Sequence, residues 1–134
     1  MWPNGVLPQA GDSVYLDGNW TVLLDIDPPP LDDFIIDGTL FVDDTRNVVL
    51  EANWIHIRAG NLTVGSANKP FVHNFTLKIN GKKFDFGEVV DPFLAGNKMM
   101  VVTGILNLYG ISPETTISFL TKTAERNSSI IWVN

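Results

Sequence analysis

The chain has 134 residues, 45% apolar and 18% charged, with a net charge of −6 and no cysteine. That length suits one globular domain with its own core, and the composition excludes a disordered chain. The acidic balance speaks against nucleic acid and anionic membranes, which select clustered Lys and Arg, and the missing cysteines exclude disulfides, thiolate catalysis and thiolate-ligated zinc.

The N-terminus, MWPNGVLPQAG, shows no apolar run behind a basic end, so it does not read as a signal peptide. No stretch approaches the roughly 18 apolar residues of a membrane span, so direct membrane insertion is not expected. The abrupt ends at Met1 and Asn134 read as a single module, 1–134, cut from a larger multidomain protein.

Helical periodicity is weak along the chain and period-2 alternation is strong. Val14, Leu16, Trp20, Val22 and Leu24 share one parity and predict strands. IDPPPLDD, 26–33, is a stiff proline loop. FIIDGTLFVDD then sets Phe34, Ile36, Leu40 and Val42 on one parity around Gly38. IHIRAGNLTVG places Ile55 and Ile57 before Gly60, and Leu62 and Val64 after it. FTLKING, 75–81, resembles the later NLYG half-unit, and 80–98 reads as an insertion between coils. MMVVTGILNLYG places Met100 and Val102 before Gly104, and Leu106 and Leu108 after it. ISPETTISFLTKT opens like a capped helix at Ser112, Pro113 and Glu114, but its threonines favour a strand over 117–120.

Gly38 and Gly60 lie 22 residues apart, and Gly60 and Gly104 lie 44 apart, twice that spacing. A repeat near 22 is about one turn of a right-handed parallel β-helix-like stack of short strand pairs, with each glycine at a corner between two sheets. Ile57 to Leu62 holds one residue more than Ile36 to Leu40, which predicts a bulge at Arg58-Ala59. An antiparallel sandwich with turn glycines is the alternative.

Four Asn-x-Ser/Thr sequons stand at Asn19, Asn61, Asn74 and Asn127. Strand parity turns the first three outward, opposite Trp20-Val22-Leu24, Leu62-Val64 and Phe75-Leu77-Ile79, as attached glycans require. They point to an extracellular or secretory-pathway glycoprotein. The bland reading is that Asn and Thr suit solvent-facing strand positions.

Trp54, His56 and Arg58 alternate onto one outward face. As a ligand site, the Trp would stack on a pyranose while His and Arg bind hydroxyls or a carboxylate. The alternative is a face covered by a neighbouring module or by the proline loop. Asp25, Asp27, Asp32 and Asp33 flank the prolines and are candidate Ca²⁺ ligands, although Asp also caps turns and no EF-hand spacing occurs. Lys78, Lys82 and Lys83 form the only basic cluster, a patch for a polyanion or a solvated turn. A Ser-His-Asp triad would need His56 or His73, but Ser13, Ser66 and the other serines sit in no nucleophile-elbow context, and the carboxyl spacing of a glycosidase is not readable from sequence. No catalytic residue is assigned.

QAGDSVYLDGNWTVLLD, IIDGTLFV, IRAGNLTVGSANKPF and VTGILNLYG together resemble the G-eight domain, named for eight glycines. Gly11, Gly18, Gly38, Gly60, Gly65, Gly81, Gly104 and Gly110 match that set, and the resemblance runs from Trp2 to about Trp132. It implies an extracellular module of strand pairs, usually opening a longer β-helix in a large surface or secreted protein. Its fibrocystin-type members are ciliary or apical receptors, and two relatives take part in hyaluronan binding and breakdown. The expected function is non-catalytic recognition or assembly, with neighbouring β-helix modules or glycans as partners. The alternatives are a part of a hyaluronan-degrading β-helix enzyme and a structural segment of a surface or ciliary filament. No cofactor other than Ca²⁺ is in view.

Overall fold

The structure is a computed structural model that describes residues 6–81, 96, 98–112, 114 and 117–133, and the backbone of 89–90 and 93–94. The chain alternates between two sheets. β1 (Val14–Leu16), β3 (Leu31–Ile36), β5 (Val48–Ile57), β7 (Phe75–Ile79) and β10 (Met100–Val102) build the first. β2 (Thr21–Leu24), β4 (Thr39–Val42), β6 (Asn61–Val64) and β11 (Ile105–Leu108) build the second. Every pairing within them is parallel, which removes the antiparallel sandwich. β8 (Val89–Val90) and β9 (Phe93–Leu94) form a separate antiparallel pair.

Parallel stacking puts equivalent positions in ladders. Leu16, Ile36, Ile57 and Val102 line up in the first sheet, and Val22, Leu40, Leu62 and Leu106 in the second. The inward members of the central strands are fully buried, Ile36, Ile57 and Leu62 among them. A period-2 apolar pattern therefore becomes one core between the two sheets.

Gly38, Gly60 and Gly104 stand between a first-sheet and a second-sheet strand, as expected of corners. At each corner two amides converge on one carbonyl of the rung below. Asp37 and Gly38 donate to Leu16 O at 3.0 and 3.1 Å, Arg58 and Gly60 to Ile36 O at 3.0 and 3.2 Å, and Thr103 and Gly104 to Ile57 O at 2.9 and 2.8 Å. Only a residue without Cβ allows this approach: a Cβ on Gly60 would meet Gly38 O, and would lie 2.8 Å from Ile36 O. The expected bulge is present. Ala59 is the extra residue, and its amide turns to Asp37 Oδ1 at 3.3 Å. Gly65 instead takes a positive φ of 69°.

Four expectations need correction here. The spacing of 44 is not two turns, because Gly104 stacks directly on Gly60. The extra length lies within one rung. β7 pairs with Val48–Ala52 and β10 with Ile55–Ile57, both on the side of β5 away from β3. The insertion thus interrupts a strand row rather than separating coils. FTLKING accordingly belongs to the first sheet, not to the second like NLYG. The predicted strand over 117–120 is absent: 117–119 have no strand pairing and Leu120 makes one isolated bridge to Val133. Its apolar side chains are exposed, so no neighbouring rung holds them in a ladder.

The break in the row coincides with a change of parity. Leu50 and Ala52 are buried at even positions, Ile55 and Ile57 at odd ones, and Leu31 and Phe34 repeat the switch in β3. The paired residues Asp33 and Trp54 mark the place in both strands. Strand side chains alternate strictly, so a parity change requires a local twist there.

Candidate functional site

A polar ladder runs up the corner edge of the first sheet. Tyr15 donates its hydroxyl to Asp37 Oδ2 at 2.8 Å. Arg58 donates Nε to Asp37 Oδ1 at 2.9 Å and a second N–H to Oδ2, and its guanidinium lies 5.5 Å over the Tyr15 ring. The three residues come from successive rungs and meet because the corners are in register. The Arg58 guanidinium holds the Asp37 carboxyl far below the carboxylate range against a desolvation penalty, with help from the Tyr15 hydroxyl. In return, the carboxylate raises the pKa of Arg58 and that of the Tyr15 phenol. Arg58 is therefore paired within the protein while its side chain stays half exposed.

Trp54 and His56 are 6% and 7% exposed, buried but outside the main hydrophobic cluster. Their rings meet edge to face at 5.3 Å. Thr103 Oγ1 lies 2.6 Å from the Arg58 carbonyl, which takes its only proton. The hydroxyl must then accept from His56 Nε2 at 3.0 Å, which fixes the Nε2–H tautomer. Burial pushes the His56 pKa down, and the Arg58 charge adds to it. A histidine that donates to a hydroxyl is not placed to act as its base. Trp54 Nε1 is buried without a hydrogen-bond partner among the described residues. The sequence brings Trp54, His56 and Arg58 to one edge as expected, yet as a packed cluster with the indole closed to a sugar.

The four aspartates do not converge. Asp27 accepts the Val49 amide at 2.9 Å and pairs with Arg46 at 2.9 Å. The Val49 amide and Arg46 lower its pKa. Asp32 accepts from Asn53 Nδ2 at 2.7 Å, Asp33 from Ser13 at 3.4 Å, and the Asp25 carbonyl from Arg46 at 2.9 Å. Among the described residues no three His, Cys, Asp or Glu side chains gather to hold a metal ion. Asp27 and Asp32 instead tie this stretch to the next rung and Asp33 ties it to the preceding one; the proline loop is shorter than expected, because residues 31–33 belong to β3. Of the lysine cluster, Lys78 pairs with Glu51 at 3.3 Å, and Lys82 and Lys83 lie outside the described residues.

The outward face of the second sheet is the surface that sequence reasoning passed over. Thr21, Thr39, Asn61 and Ile105 form one outward row, and Leu23, Phe41, Thr63 and Asn107 the next. Leu23 and Phe41 are exposed side by side. A depression of about 350 Å³ beside them is lined by Leu23, Phe41, Thr63, Ser66, Asp44 and Lys69. The signal was present in the strand parity, as an aromatic at an outward position. Asn19, Asn74 and Asn127 are exposed and Asn61 is half-buried.

The fold is thus mainly β, with parallel strands in two sheets and glycines between them. A family model of the G8 domain matches residues 1–121, and the chain belongs to that family. It is 29% identical over 143 residues to Fibrocystin-L of Mus musculus, across 96% of this chain and 3% of that protein. It is 28% identical over 131 residues to Fibrocystin-L of Homo sapiens, across 97% of the chain and 3% of the relative. It is also 32% identical over 129 residues to Fibrocystin of Mus musculus, across 93% and 3%. The chain thus spans about 3% of the length of these relatives. No solved structure matches it.

Proposed function

We propose that the chain is a non-catalytic assembly module of an extracellular, fibrocystin-like protein. Its rungs are turns of a right-handed parallel β-helix, the hand that parallel crossovers take in nearly all cases. Its job is to join a neighbouring β-helix segment end to end. The observation that carries this reading is the open final rung. Among the described residues, β10 and β11 pair with β5 and β6 on one side only. Their ladders run from buried Ile57 and Val64 to Val102 and Leu108, which are 41% and 59% exposed. An inward ladder that ends exposed, beside unpaired backbone groups, is a surface built for another strand pair. The four sequons and the fibrocystin relatives support the extracellular setting.

Hydrogen exchange of β10 and β11 tests this. In the isolated chain their outward amides should exchange fast. In a longer natural chain that includes the following sequence they should be protected. Equal exchange in both would overturn the assembly reading.

A further inference from the structure

We propose that Asn61 carries an N-linked glycan whose first sugar is seated on Phe41, so that the outward face of the second sheet is covered by carbohydrate. The inference rests on the extracellular reading above, and geometry separates Asn61 from Asn19 and Asn127.

Asn61 is held with its amide oxygen inward to the ladder. Oδ1 accepts the Thr63 hydroxyl at 2.9 Å and Asn107 Nδ2 at 3.4 Å. Nδ2 has no hydrogen-bond partner among the described residues. Replacing one of its hydrogens with a sugar therefore breaks no bond in the fold. Asn19 differs, because its Nδ2 donates to Asp17 Oδ1 at 3.1 Å. Asn127 differs too, standing at a positive φ of 66° amid exposed residues.

The surroundings of Asn61 form a seat. Thr39 is its direct partner on β4, and Phe41 is the diagonal neighbour on the same face, roughly 7–8 Å away at such positions. A pyranose attached to Nδ2 spans that gap. Its C–H face then lies against the ring, whose negative face attracts the polarised hydrogens. Phe41 is 41% exposed and Leu23 beside it 55%, an apolar pair otherwise open to water. The hydroxyl groups of Thr39 and Thr63 stand at the rim for the sugar's polar groups.

The attachment is a group transfer from a polyprenyl-diphosphate-linked oligosaccharide. The anomeric C1–O bond to diphosphate breaks, the C1–Nδ2 bond forms, Nδ2 loses one proton, and the diphosphate departs with the bonding pair. Thr63 completes the sequon two residues on, and a strand holds both side chains on one face.

The test uses the full chain secreted from a glycosylating eukaryotic host and the same chain made in a bacterium. Enzymatic glycan release in heavy-oxygen water, followed by peptide mass spectrometry, reports occupancy at each sequon. Thermal melts of both forms, with Phe41 and with Phe41→Ala, report the seat, and Phe41→Leu serves as a second variant should the alanine form fail to fold. Glycans at other sites add equally to both members of each pair and drop out of the comparison. The expected result is occupancy at Asn61 and a Tm gain on the order of 3 °C from glycosylation that is lost when Phe41 is replaced. Occupancy with a gain independent of Phe41 would overturn the seat. A bare Asn61 beside an occupied Asn19 or Asn74 would overturn the proposal and leave the extracellular reading standing. Four bare sequons would remove both.

Discussion

Gly104 lies directly on Gly60: a Cβ at position 104 would run into the Gly60 carbonyl oxygen and stand 3.1 Å from its nitrogen. The contact is backbone against backbone, so no rotamer change relieves it. Gly60→Ala should destabilise the protein by about 2–3 kcal/mol or more, read as a lower urea midpoint with an unchanged slope. Gly110→Ala meets nothing within 4 Å and serves as the control, with a change under about 0.5 kcal/mol. Equal effects at both positions would show that the corner stack is looser than described.

Asp37 links three rungs through Tyr15 and Arg58, and its folded pKa lies far below its ordinary value. A depressed carboxylate stabilises the fold above its unfolded pKa of about 3.9, and that contribution is lost as pH falls towards the folded pKa. Thermal stability should therefore drop below about pH 4. Asp37→Asn should flatten that acid slope and lower Tm at neutral pH, where the variant lacks the ion pair. An unchanged acid slope in the variant would remove Asp37 as its source.

His56 works over a different window. Its pKa is lowered from 6.5 by burial and by Arg58, so the folded protein resists its protonation. The sign again gives stability that is present at high pH, and here it begins to fall as pH drops below about 6.5. His56→Gln keeps a donor for Thr103 and removes the charge change. It should abolish the part of the decline that begins below about pH 6.5. If the wild type shows no decline there, burial of His56 is shallower than described.

The repeat was legible because its ladders impose the same parity on every rung: Leu40 and Leu62 are inward for the same reason, and the corner glycines follow from the closeness of their backbones. The extra residue at Ala59 was legible by counting. The position of the insertion was not. Spacing between Gly60 and Gly104 is a length, and a detour within one rung has the same length as an added rung. Nor was the strand over 117–120 decidable locally, because β propensity expresses packing against neighbours, and residues 117–119 join no strand ladder. The sequence reads the Trp54-His56-Arg58 edge as an open outward face, whereas the structure buries Trp54 and His56 and leaves Arg58 half exposed. Parity gives the side of a strand that a residue faces and carries no information about what covers that side. Asp37 went unnoticed as the partner of Arg58 because the two are 21 residues apart, a separation that becomes contact only when rungs stack.

The burial of Trp54 separates a packing role from a ligand role. Its indole is 6% exposed, and its Nε1–H has no partner among the described residues. An unpaired buried donor opposes folding, while the ring's apolar area favours it. Trp54→Ala should lose about 3–5 kcal/mol through the cavity it leaves. Trp54→Phe keeps most of the ring volume and its edge contact with His56, and it removes the unpaired donor, so the two effects offset. The phenylalanine variant should lie within about 1 kcal/mol of wild type in urea unfolding. A loss as large as that of the alanine variant would mean that the indole nitrogen has a partner in solution. Retention of fold in both variants, with glycan binding abolished in both, would instead restore the open-platform reading of this edge.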